Sequence, residues 1–113
     1  MAVAIAACGS DPKPPPKRDD IAAIGSSVGD IVYQCQSVDA GFIAEPDTAQ
    51  LTRDVNALLA AVDRVDPDAE YKAGAAPGPT RRTSVRGELR LARRILKKCD
   101  PALAKRLDAA IKG

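Results

Sequence analysis

Three cysteines, Cys8, Cys35 and Cys99, are the side chains of this 113-residue sequence best suited to covalent chemistry. A thiol can pair with another thiol, bind a metal or act as a nucleophile. The last two roles usually recruit an imidazole, and the chain contains no histidine. Its absence removes the commonest general base, the Cys-His and Ser-His nucleophile pairs and the commonest metal ligand. Cys35 and Cys99 are far apart and no Cys-x-x-Cys occurs, which argues against a thioredoxin-like redox site. Asp66 and Asp68 are close enough to share Ca²⁺, but the glycine and terminal glutamate of an EF-hand loop are missing, so the pair reads as helix punctuation. Ser26-Ser27 and Thr83-Ser84 read as surface polar residues, and no Gly-rich phosphate loop follows a predicted strand, because no strand is predicted. The expectation is a protein that is not an enzyme, with no catalytic residue, no metal site and no cofactor.

Charge is balanced at +2 overall but segregated along the chain. Residues 19–70 hold eleven acids against Arg53 and Arg64, a net −9. Residues 80–99 hold eight arginines and lysines against Glu88, a net +7. Arg86, Arg90, Arg93, Arg94 and Lys97 recur at helical steps and form a candidate anion-binding strip. Two readings stand. One is a solvated helix face partly neutralised by the acidic first two helices; the other is a strip that meets anionic lipid headgroups or polymer, where a basic side chain beside a membrane is worth about 1 kcal/mol. Nucleic acid is not the expected target, because no aromatics are interleaved to stack on bases.

These residues must be carried by helices. Aromatics are only 3% of the chain and there is no Trp, so a core can be built only from Leu, Ile, Val and Ala. Ile21, Ile24, Val28, Ile31, Val32 and Cys35 recur at three- and four-residue steps and predict a helix over 20–38, capped by Asp19 or Asp20. Gly25 and Gly29 lie one turn apart in it and suggest a close helix crossing. Leu51, Val55, Leu58, Leu59 and Val62 predict a second helix from Asp47 or Thr48 to Val65, ended by Asp66-Pro67. Residues 68–72 could add a turn before the Gly- and Pro-rich loop 74–79. Val85, Leu89, Ala92, Ile95, Leu96 and Cys99 predict a third helix over 80–99. Asp100-Pro101 is a start signal for a fourth, striped by Leu103, Leu107, Ala110 and Ile111.

Four helices with shortish connections predict an all-α fold, a small up-down-up-down four-helix bundle. In that order the C-terminal ends of the first and third helices lie at the same end of the bundle. Cys35 and Cys99 sit at those ends on the apolar stripes, so a Cys35–Cys99 disulfide is available. The alternative is two buried free thiols. Closing such a loop contributes about 4 kcal/mol in the chain-entropy model.

The N-terminus points to location. Ile5-Ala6-Ala7-Cys8, followed by Gly9 and Ser10, resembles the lipobox of bacterial lipoproteins. The resemblance covers about the first ten residues and implies that Cys8 carries a diacylglycerol and becomes the mature N-terminus. Residues 1–7 would then be the remnant of a signal peptide, which normally has a basic region and about 7–15 apolar residues. The reading frame is therefore expected to extend upstream of Met1. Residues 8–18 would be the lipidated cysteine and a disordered Pro-rich tether, and residues 19–113 the bundle domain. No apolar run approaches the ~18 residues of a membrane-spanning helix. The implied protein is extracytoplasmic, held to a bacterial membrane by lipid, with an envelope protein as its partner. Its expected role is a non-catalytic helical interaction module. The alternative is a binding module for an anionic envelope polymer, lipid or small apolar ligand.

Overall fold

The computed structural model describes residues 12–74 and 80–112. Among these residues four helices form along the predicted stripes: α1 (Arg18–Asp39), α2 (Thr48–Arg64), α3 (Val85–Cys99) and α4 (Pro101–Lys112). Local chemistry sets their ends. Asp47 caps α2 by accepting the Gln50 N–H at 3.1 Å, and Asp100 caps α4 by accepting the Leu103 N–H at 3.2 Å ahead of Pro101. The carboxylate of Asp20 lies inside the first turn of α1 and accepts the N–H of Lys17, so the helix begins before either expected cap. At its other end Gly41, with φ of 82°, lets Phe42 N–H reach Ser37 O and Gly41 N–H reach Val38 O, a Schellman closure that a Cβ would strain.

The stripes converge on one core. Ile24, Val28 and Ile31 of α1 meet Leu51, Val55 and Leu58 of α2, Val85, Leu89, Ala92 and Leu96 of α3, and Leu103 and Leu107 of α4. Each of these Leu, Ile and Val side chains contributes about 1.5–3 kcal/mol on full burial, and their sum holds the helices together.

The bundle runs up-down-up-down. Arg64 at the end of α2 reaches Asp20 at the start of α1, and Arg86 at the start of α3 reaches the carbonyls of Ala110 and Ile111 at the end of α4. Around the bundle the order is α1, α2, α4, α3: α1 packs on α2 and α3, α4 packs on α3 and α2, and α2 touches α3 only slightly. The connection from α2 to α3 therefore crosses the end of the bundle.

That connection differs from the expectation of loop and helix. Tyr71–Ala73 (β1) and Arg81–Thr83 (β2) pair antiparallel, Tyr71 opposite Thr83 and Ala73 opposite Arg81. Residues 81–83 are thus strand, and α3 starts at Val85 with Ser84 as its cap, accepting the Gly87 N–H at 3.0 Å. Ser84 is a capping residue and not a merely solvated one. The turn expected over residues 68–72 is a tight turn at Pro67 and Asp68, closed by Asp68 N–H on the Asp66 carboxylate, after which Tyr71 enters the strand. A hairpin this short is not stable alone. It persists because Tyr71 packs against the core and Arg81 is bonded to α3.

Residues 12–17 are extended, as their prolines dictate, but they are pinned to the bundle. Pro14 O accepts the Asp66 N–H at 2.8 Å and Lys13 Nζ reaches Val62 O at 3.3 Å. This part of the expected tether is docked on the end of α2 because the first residues past that helix leave backbone groups to satisfy.

Candidate functional site

The outer face of α1 presents Arg18, Ile21, Ala22, Gly25, Gly29 and Val32 in register, one side of a groove of about 640 Å³. Leu91 and Glu88 of α3 form the other wall, and Tyr71, Ala73, Gly74 and Arg81 of the hairpin close one end. Gly25 and Gly29 lie in its floor. A Cβ built on either Gly25 or Gly29 meets nothing within 4 Å, so they do not mark a close crossing within the bundle; they lower the floor where a side chain would stand. Gly87 behaves in the opposite way. A Cβ there would lie 2.8 Å from Thr83 Oγ1, so it is this glycine that permits close packing of the hairpin on α3.

The charged residues of the lining are Arg18, Arg81 and Glu88, and the last two are paired. Glu88 is 2% exposed, and both of its oxygens accept from Arg81 Nη2, at 2.8 and 2.9 Å. Tyr71 lies against this pair with its hydroxyl buried and without a partner among the described residues. Burial and then the Glu88 charge push the phenol up to about 12, while Arg81 pulls the other way. The phenol is thus neutral at any physiological pH. Apart from Arg18, Arg81 and Glu88, the lining named here is made of apolar side chains, glycines and the Tyr71 ring.

The basic strip is divided by the fold. Arg86 is 12% exposed on its side chain, bonded to Asp68 at 2.8 Å and to the final carbonyls of α4, and so it closes that helix. Its guanidinium holds the Asp68 carboxyl below the usual carboxylate range. The Asp66–Asp68 turn therefore serves α3 and α4. Arg93 is paired with Asp108 of α4. The acids that answer these two arginines come from the linker and α4, not from α1 and α2. Arg90, Arg94 and Lys97 are exposed and in no ion pair among the described residues.

Cys35 and Cys99 are joined as a disulfide, with Cα atoms 5.5 Å apart, beside a smaller cleft lined by Val38, Arg94, Ile95 and Lys98. Cys8 lies outside the described residues. Ser27, expected on the surface, is buried in α1 because it falls one turn from Ile24 and Ile31 on the inward stripe. At the disulfide end Tyr33 and Phe42 are 70% and 83% exposed, so two of the three aromatics lie outside the core.

Sequence reasoning missed the hairpin, the groove and two buried acids, Glu88 and Asp54. The acids did carry a signal: each stands one residue before a core aliphatic, Leu89 and Val55, in the inward phase of its helix. No protein-family model, no curated protein and no solved structure matches the chain.

Proposed function

We propose that this chain is a lipid-anchored module of the bacterial cell envelope that acts without catalysis, taking an apolar segment of a protein partner into the groove between α1, α3 and the hairpin. The observation that carries the reading is the groove itself: an apolar trough of about 640 Å³, within the usual ~300–1,000 Å³ of binding clefts, floored by two glycines. The lipobox-like run before Cys8 supports placing it at a membrane, through a lipidated cysteine.

Two variants test the two halves separately. Gly25→Leu with Gly29→Leu puts side chains into the trough at two positions where a Cβ meets nothing within 4 Å, so it is expected to fold normally and to lose partner capture in cross-linking from envelope extracts. Cys8→Ala is expected to move the protein from the membrane fraction to the soluble fraction without altering its fold. Unchanged capture by the filled groove overturns the first half, and unchanged membrane retention overturns the second.

A second reading rests on exposed Arg90, Arg94 and Lys97, which offer an anion-binding surface. It requires that binding to envelope extracts fall steeply with salt and survive filling of the groove.

A further inference from the structure

The groove and the cleft beside the disulfide share both walls. On α1 the groove runs as far as Val32 and the cleft begins at Cys35; on α3 the groove ends at Leu91 and the cleft begins at Arg94. Each step is close to one helical turn, so the two are successive stretches of one track along the seam of these parallel helices. α1 lends it Ala22, Gly25, Gly29, Val32, Gln36 and Asp39, and α3 lends it Glu88, Leu91, Ile95 and Lys98. Both rows advance by alternating three- and four-residue steps, the spacing with which a helix keeps one stripe turned to a neighbouring helix. From Arg18 to Asp39 the track follows the 22 residues of α1, about 30 Å, the length of a helix of about 20 residues.

Charge is uneven along it. Arg81 and Glu88 answer each other beside the hairpin. Arg18 at one end and Arg94 and Lys98 at the other are exposed and in no ion pair among the described residues, and Asp39 is the acid beside the latter two. Gly29, Val32, Leu91 and Ile95, which lie between the ends, are uncharged. Three cations thus stand against one carboxylate, which selects against a basic occupant and for an acidic one.

We propose, building on the groove reading above, that the occupant of this track is an acidic amphipathic helix of the partner, laid between α1 and α3 with its apolar face over Gly25, Gly29 and Leu91 and its carboxylates over Arg94 and Lys98. The two glycines let its backbone approach α1 closely. The aliphatic residues of both walls receive its anchors at i, i+3, i+4 and i+7. A lipid surface is flat and would meet the two cations without entering the trough.

The test pans the full chain against a cysteine-free phage library of random peptides about 20 residues long. Peptides it retains should carry apolar residues at three- and four-residue steps and a cluster of Asp or Glu toward one end. Arg94→Glu with Lys98→Glu alters two exposed side chains that make no hydrogen bond among the described residues, so it should fold normally. It should weaken a retained acidic peptide by about tenfold or more and retain peptides with Lys or Arg at that end instead. Gly25→Leu with Gly29→Leu should retain neither kind. Apolar peptides without an acidic bias, lost on filling the trough, overturn the acidic helix and leave the groove reading standing; retention of no apolar peptide overturns both. An unchanged preference in the charge-reversed variant overturns the acidic helix, as does retention on phosphatidylglycerol vesicles in place of any peptide. Should the filled trough fail to fold, the charge-reversed variant decides.

Discussion

Cys35 and Cys99, 64 residues apart in sequence, meet with Cα atoms 5.5 Å apart and tie the C-terminal end of α1 to that of α3. The two helices are parallel neighbours, so the bridge spans the long excursion through α2 and the hairpin. A loop of that length gives about 4 kcal/mol in the chain-entropy model, a large share of the ~5–15 kcal/mol that holds a domain together. Reduction, or Cys35→Ser with Cys99→Ser, is expected to lower the melting temperature by more than about 10 °C. Melts with and without reductant check this, and coincident curves would remove the bridge from the account of stability.

Arg81 and Glu88 yield an asymmetric pair of outcomes. Arg81→Ala strands a carboxylate that is 2% exposed, whereas Glu88→Gln leaves a neutral group and a half-exposed arginine that water can serve. The first should cost about 2–3 kcal/mol and the second clearly less. Urea unfolding of the two variants checks the order; an equal loss would mean that Arg81 packs without neutralising Glu88.

The glycines separate by environment. Gly25→Ala and Gly29→Ala meet open space in a helix interior, and each is expected to stabilise by about 0.5–1 kcal/mol. Gly87→Ala presses on Thr83 and should forfeit that gain. Melting temperatures of the three single variants decide the matter. A gain at Gly87 equal to that at Gly25 would show that the hairpin yields freely.

Ser84→Ala removes the cap of α3 at the junction with β2 and should cost about 1 kcal/mol. Thr83→Ala, one residue earlier, removes no capping bond and serves as the control. Equal stabilities for the two would show that water replaces the Ser84 hydroxyl.

Much of the architecture was legible before any coordinates. Apolar residues at three- and four-residue steps report one side of a helix, which is a local property, and Asp47 and Asp100-Pro101 act within four residues of the ends they set. The Cys35–Cys99 pairing followed because helix direction alternates when connections are short.

The remainder depends on which elements come to lie side by side. Residues 80–84 have a helical phase on paper, but Arg81–Thr83 pair with Tyr71–Ala73 because α2 and α3 sit across the bundle from each other and the chain must cross between them. The same crossing sets Arg81 on Glu88 and Asp68 on Arg86, dividing a strip of arginines that is continuous in sequence. Gly25 and Gly29 read as contact points and prove to be the floor of a groove, because α3 and the hairpin leave that face of α1 open. Spacing along one helix says which side is buried; which charge or cavity waits on the far side of a contact is a property of the pair of elements, and a chain read one helix at a time does not contain it.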